Sequence, residues 1–256
     1  DFDTALKIAQ DLGYAERNPE ADVEGHDACR KICILASLAY SKHIYPDAVH
    51  TEGITKITLD DVKYAAIWGG VIKLIGKVKK LDKDMIDIVV APMFVPNNSQ
   101  LSSIEDVFNG IMVRGDCTGD VVFYGKGAGK LPTASAVVAD VVDCVKHLDT
   151  RKHLYWTDSD NSSVIDYKES VTAMYIRANA QDTESAYNKA KELFKDIHIL
   201  ENKDAAQGEI ACVCEPMKYG DILVLTAETK NLPAGAYVEW KADSDAVTIE
   251  PSADGK

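Results

Sequence analysis

The sequence has no apolar stretch approaching the roughly 18 residues that a membrane-crossing helix needs, so nothing in its 256 residues reads as a bilayer anchor. It also lacks basic excess: 28 Lys and Arg stand against 41 Asp and Glu, a formal charge of −13 with a pI near 4.9. An acidic surface repels phosphate backbones and anionic lipid, which excludes a general nucleic-acid or membrane-surface binder and leaves open only a locally basic pocket. The six cysteines (Cys29, Cys33, Cys117, Cys144, Cys212 and Cys214) form no CxxC pair and have no nearby His ladder. They read as buried or idle thiols in a reducing cytoplasm, with no metal site and no disulfide framework expected. There is no signal-peptide pattern and no initiator Met, so the first residue is expected to mark a fragment boundary. A Walker A loop, a GxGxxG turn, internal repeats and low-complexity tracts are all missing.

What is present is an ordinary apolar fraction of 46%, enough for a packed core, in a chain with room for one large or two to three small domains. The spacing of Ala5, Ile8, Ala9 and Leu12 predicts an amphipathic helix over 1–13, stopped by Gly13. A second helix is expected from about Val23 to Lys42, capped by Asp22, and its ICILASLAY centre predicts burial on nearly every side. A short strand, a helix from Leu59 and a strand from Val71 follow, then strands over DMIDIVVAPMFV, NGIMVRGD and TGDVVFYG, the last two split by a turn at Gly115–Asp116. The loop GKGAGKLP leads into a helix with Pro132 in its first turn. After Asp149 a polar Ser- and Asp-rich stretch reads as a linker. Residues 171–215 read as strand, helix, strand, strand, and beyond Met217 the pattern is all β.

The informative block is AQDLGYAERNPEADVEGHDACRK, residues 9–31. It places Glu16 and Asp22 in a polar loop before a helix on which Asp27 and Lys31 share a face one turn apart. An Asp–Lys pair at this spacing is commonly a solvated helix pair worth about 0.3–0.5 kcal/mol. A lysine entering a buried helix wants instead a paired charge or a ligand. Spacing alone leaves both readings open. The glycines of GKGAGK are equally consistent with a tight turn and close packing.

This block resembles the homoserine dehydrogenase signature at Ala9, Gly13, Tyr14, Ala15, Asn18, Pro19, Asp22, Val23, Gly25, Asp27 and Lys31. The resemblance continues through Ile54, Thr55, Asp60, Tyr64, Ala65, Gly69, Ile72, Lys73 and Leu74. It extends to Gly127, Ala128, Gly129, Pro132, Thr133, Ser135 and Asp140, so that it covers residues 1 to about 147. It implies reversible NAD- or NADP-dependent interconversion of L-homoserine and L-aspartate 4-semialdehyde, a step toward threonine and methionine. By the same resemblance Lys31 is the proton donor and oxyanion stabiliser, Asp27 orients it, and Glu16 and Asp22 hold the substrate's ammonium and hydroxyl groups. Gly127, Ala128 and Gly129 would lie against the nicotinamide, while Thr133 and Ser135 cap or pack the helix. A cytoplasmic homodimer is expected.

The sequence also departs from the family. No Rossmann domain and no Gly-Thr-Thr-Asn segment occur, so the isolated chain is expected not to turn over, and NAD cannot be told from NADP. NNSQLSS stands where a His-Pro-Leu run is usual. The expected fold class is α+β, a mixed sheet with helices on one face, followed by a small βαββ ACT-like unit and a β-rich tail. The layout is a catalytic and dimerisation domain over 1–149, a linker over 150–170, the ACT-like module over 171–215 and a partial immunoglobulin-like domain over 216–256 with Trp240 as a core residue. AQDTESAY replaces the Asp-x-Pro-Gly effector loop, so threonine binding and plain docking by a βαββ unit both remain open. The rival reading of the whole chain is a non-catalytic oligomerisation or ligand-binding module that kept the fold without a nucleotide domain.

Overall fold

The computed structural model describes residues 1–150 and 156–222, together with the backbone of Val238–Ala242 and Ala246–Ile249. The chain divides into two compact units, Asp1–Pro19 with Val95–Tyr155, and Glu20–Phe94 with Trp156–Lys256. The whole is a mixed α+β protein of small sheets and helices, as the composition and patterning predict. None of the described helices is long and apolar enough to cross a membrane.

The first unit opens with α1 (Phe2–Asp11), whose N-cap Asp1 accepts a hydrogen bond from the Thr4 amide at 2.8 Å. Gly13, at a φ of 74°, ends the turn that follows, as glycine does where a side chain would be strained. The stripe that marks α1 as amphipathic is bare: Ile8 and Leu12 are both exposed.

The chain then enters the second unit through α2 (Glu20–Val23) and α3 (His26–Tyr40). The sequence predicts one helix here, with Asp22 as its cap. The structure breaks it at Gly25, which takes a φ of 77° and is itself the N-cap of α3. A Cβ on Gly25 would lie 3.1 Å from the Glu52 carbonyl oxygen and 3.3 Å from Val90. Gly53 is tighter still, since a Cβ there would sit 2.2 Å from the Val23 carbonyl oxygen, inside any allowed contact. The Ile54 amide donates to that carbonyl at 2.7 Å, and the Glu52 amide donates to Val90 at 2.8 Å. Two glycines therefore let the α2–α3 junction lie directly on backbone, and this seam sets where α3 begins.

Only one face of α3 is buried. Cys29, Ile32, Cys33 and Ala36 pack on Ile86, Ile88 and Val90, while Ile34 and Leu38 face outward at 53% and 58% exposure. The expectation of all-round burial is overturned, because a three-stranded sheet can cover one side of a helix and, among the described residues, nothing in this unit closes over the other. That sheet has the order β1-β3-β2, from β1 (His50–Thr51), β2 (Gly70–Lys80) and β3 (Ile86–Pro96), with β1 and β3 parallel. The strand expected at GITKIT is not formed: residues 53–58 make a turn leading into α4, and β1 lies just before them. Between β1 and β2 runs α4 (Leu59–Trp68), started by a capping box in which the Thr58 hydroxyl and the Asp61 carboxylate serve each other's backbone amides.

Back in the first unit, β4 (Phe108–Gly115) and β5 (Gly119–Lys126) pair antiparallel from Phe108–Lys126 to Gly115–Gly119. They lead to α5 (Lys130–Lys146), which buries none of its residues. Beyond it the chain rejoins the second unit. Residues 156–170, expected as a linker, are fastened down: the Ile86 amide donates to Ser163, Ile165 donates back to Ile86, and the Tyr45 hydroxyl donates to Asp158 at 2.7 Å.

The remaining elements are β6 (Val171–Thr172), β7 (Met174–Asn179), α6 (Thr183–Phe194), β8 (Ile197–Ile199), β9 (Glu209–Cys214), β10 (Met217–Lys218), β11 (Val238–Ala242) and β12 (Ala246–Ile249). They build a five-stranded sheet of order β12-β11-β7-β9-β8, antiparallel at every pairing, and a small β10-β6 ladder. Alternation along β7 serves two cores. Met174 and Ile176 meet Ala190 and Phe194 of α6, and Tyr175 turns to Tyr64 of α4 with Leu200 and Ala211. The expected core role of Trp240 lies outside the described residues.

A charged network crosses the α4 face of that sheet. Asp61 is wholly buried, accepting from the Thr58 amide and hydroxyl, both at 2.7 Å, and from the Tyr175 hydroxyl at 3.2 Å. Arg177 reaches it at 3.4 Å and lies 3.8 Å from Asp60 and from Glu209, which itself accepts from the Tyr64 hydroxyl at 2.8 Å. Burial, with the neighbouring carboxylates, pushes both tyrosine hydroxyls well above their ordinary range, so they act as donors.

Two stability measurements follow. Arg177→Ala leaves a buried carboxylate without its cation and should cost about 3–5 kcal/mol in urea titrations; a cost below about 1 kcal/mol would remove the network from the account. Gly53→Ala should lower stability by about 1–3 kcal/mol, as forced overpacking does, and an unchanged melting temperature would show that the seam yields freely.

Candidate functional site

The candidate site residues of the second unit gather at the head of α3. Its first turn carries Asp27, a placement the helix dipole favours, and Lys31 follows one turn on. The Lys31 ammonium meets the Asp27 carboxylate at 2.5 Å. Both remain open to solvent, the lysine side chain at 57% and the aspartate at 44%. The burial that the helix pattern predicts around Lys31 is thus not found, for the same reason that Ile34 and Leu38 are bare. An exposed pair of this kind contributes only about 0.3–0.5 kcal/mol to the helix. What it supplies is a primary ammonium held at one place, with three donors and a carboxylate to retain its charge.

Asp22 is exposed on α2, and its carbonyl accepts from the Gly25 amide at 3.3 Å, so it belongs to the same junction. Around the junction the Glu24 carboxylate accepts from the Thr55 hydroxyl at 3.0 Å, and His50 pairs with Glu52 at 2.9 Å. No group of three or more His, Cys, Asp or Glu among the described residues could hold a metal ion.

The other candidates lie in the first unit. Glu16 is exposed, and its carbonyl accepts from the Gln10 side-chain amide at 3.0 Å. Gly127 donates its amide to Val107 at 2.9 Å, and a Cβ there would strike the Asn109 amide nitrogen at 2.0 Å. A side chain at 127 would displace the exposed Asn109 amide. Gly129, at a φ of 111°, is the N-cap of α5 and has no side-chain cap. A Cβ on it would touch nothing nearer than Pro132 at 3.5 Å, so Gly129 leaves the head of α5 open, with Ala128 beside it.

Sequence reasoning missed several groups that shape these surroundings. The Thr58–Asp61 capping box carries a readable T-x-x-D spacing. The packing of Gly25 and Gly53 at the α2–α3 junction and the Arg177 network carry no local signal, because their partners come from separate elements.

A family model for homoserine dehydrogenase matches residues 1–142. The homoserine dehydrogenase of Neisseria gonorrhoeae is 38% identical over 188 residues, covering 71% of this chain and 43% of that protein. The Helicobacter pylori enzyme is 46% identical over 145 residues, covering 57% and 34%. Among solved structures, a homoserine dehydrogenase from Thiobacillus denitrificans superposes with a TM-score of 0.79 at 30% identity, covering 94% of this chain and 58% of that one. The S. aureus enzyme gives 0.72 at 30% identity with the same coverage. The chain thus spans under half the length of these two curated relatives and rather more than half of the solved chains, and the structural likeness runs well past the family match at residue 142. By the extent of that match, the chain belongs to the homoserine dehydrogenase family.

Proposed function

We propose that this chain is the substrate-side portion of an NAD- or NADP-dependent homoserine dehydrogenase, interconverting L-homoserine and L-aspartate 4-semialdehyde in the synthesis of threonine and methionine. The observation that carries the reading is the Asp27–Lys31 ion pair at the head of α3, inside the segment that matches the family.

Reduction of the aldehyde places negative charge on its oxygen, and a lysine ammonium facing that oxygen offsets the charge and delivers the proton. Asp27 holds the ammonium in place and keeps it charged through the cycle. Glu16 and Asp22 take the ammonium and hydroxyl groups of the amino acid, for which carboxylates are the fitting acceptors. The nicotinamide, when bound, supplies or accepts the hydride. Of the glycine loop, Gly129 fits a flat ring at close approach because its Cβ position is open, while the space beside Gly127 is taken by Asn109. This loop offers one wall of a cofactor site, and the rest belongs to the portion of the family protein that this chain does not span. Val137, Val141 and Val145, exposed along one face of α5, are the apolar surface that such a portion would cover.

The same reading makes the protein a cytoplasmic homodimer and 171–215 an ACT-like module.

The test is a fusion of this chain to the nucleotide-binding portion of the Neisseria relative, assayed by the absorbance of reduced nicotinamide with homoserine as substrate. Turnover by the fusion and none by the chain alone is the expected result. A folded fusion that binds nucleotide yet oxidises no homoserine would refute the assignment.

A further inference from the structure

The first unit exposes apolar surface on both its helices and on its hairpin, and encloses no core. Among its described residues only Val95, at the boundary with the second unit, is buried; α1, β4, β5 and α5 bury none of theirs. In the hairpin Ile111 faces Phe123 and Val113 faces Val121, and side chains paired across an antiparallel ladder stand on the same face. That face is bare, with all four side chains exposed and Phe123 at 61%. The opposite face is covered from within the unit: Ile104 lies over Gly110, Phe108 stacks on Tyr124 at 4.7 Å, and Met112 and Val122 are half-buried. Along α5, Val137, Val138, Val141, Val142 and Val145 fall on one broad stripe, of the width that ordinarily faces a core, and each is exposed.

We propose that the first unit is one half of a hydrophobic core whose other half is the portion of the family protein that this chain does not span. The bare hairpin face and the valine stripe of α5 are its two contributions. The inference rests on the function proposed above and extends it from a covered helix to a shared fold. The seam between the nucleotide-binding and substrate portions then runs between the two units of this chain, and 1–149 is not one catalytic domain.

Two arguments select that occupant. The first is energetic. A two-stranded hairpin is marginal in water unless it packs on a helix or on further strands, and a lone helix of this length is marginal as well. Ordering a chain costs backbone entropy that burial must offset, and a unit that buries only Val95 has little burial to set against it. Contiguous bare apolar surface of this kind marks a contact that is meant to be covered. The second is position. Helix α5 starts at Gly129, whose open side is the proposed wall of the cofactor site, so what stands over that wall stands at the head of the valine stripe. The length needed to cover it exists in the family: this chain spans 43% of the Neisseria relative and 34% of the Helicobacter one.

Hydrogen exchange tests this, read by mass spectrometry on the full chain and on its fusion to the nucleotide-binding portion of the Neisseria relative. In the chain alone, amides of the hairpin and of α5 should exchange about 100-fold or more faster than those of β3 and β7. In the fusion they should slow by about tenfold or more. Phe123→Ala gives an independent reading, because that side chain is bare in the chain alone. It should leave the melting temperature of the chain within about 1 °C and lower that of the fusion by about 5 °C or more. Hairpin protection in the chain alone equal to that of β3, no slowing in the fusion, or an equal cost of Phe123→Ala in both would overturn the proposal. So would protection in the chain alone that rises with its concentration, which would assign these surfaces to a second copy. A fusion that orders the hairpin yet oxidises no homoserine refutes the dehydrogenase assignment and leaves this inference standing. One that turns over with the hairpin still unprotected does the opposite.

Discussion

The contact on which the candidate site depends is one of backbone against backbone. At Gly25 and Gly53 the α2–α3 junction packs closely on the segment that follows β1, with the Glu52 and Val23 carbonyl oxygens nearest the two glycines, held by the Ile54–Val23 hydrogen bond. Helix α3 starts where it does because Gly25 can adopt a left-handed conformation there and little else can. The position of Asp27, and through it of the Lys31 ammonium, follows from that start. A helix cap made by a side chain would permit some rocking of the first turn, but backbone in contact with backbone permits little. The chemistry proposed for Lys31 needs its donor fixed to a fraction of an ångström, and this is the element of the fold that fixes it.

A second constraint joins the first to the rest of the unit. Strand β7 is buried on both faces, one toward α6 and the other toward α4, so 171–215 is an integral layer of the second unit. The α4 face is polar at its end, where Asp61, Arg177, Glu209 and two tyrosine hydroxyls satisfy one another. A buried network of this sort adds little net stability over apolar packing but tolerates no missing member, so it enforces a single way for α4 and the sheet to meet.

Much of this was legible in the sequence, and the failures share a cause. The β4–β5 hairpin and α5 follow from strand alternation, turn glycines and Pro132, which are local signals. The Asp27–Lys31 pair follows from its spacing. The break at Gly25 does not, because a lone glycine in a helical pattern signals a capped restart only when the backbone it lies against is known. The burial of α3 was overread for a related reason, since ICILASLAY is apolar all round while the unit covers one side of it. Asp61 reads as an ordinary first-turn acid, and its partner Tyr175 stands 114 residues away.

The central claim is that the Lys31 ammonium acts on substrate and contributes little to the fold. Steady-state kinetics of Lys31→Ala in the fusion with a nucleotide-binding portion, set beside its melting temperature, test it most directly. The account predicts a kcat lower by about 100-fold or more with a melting temperature essentially unchanged, since the exposed pair contributes only about 0.3–0.5 kcal/mol. A variant that turns over homoserine as fast as its parent would contradict it.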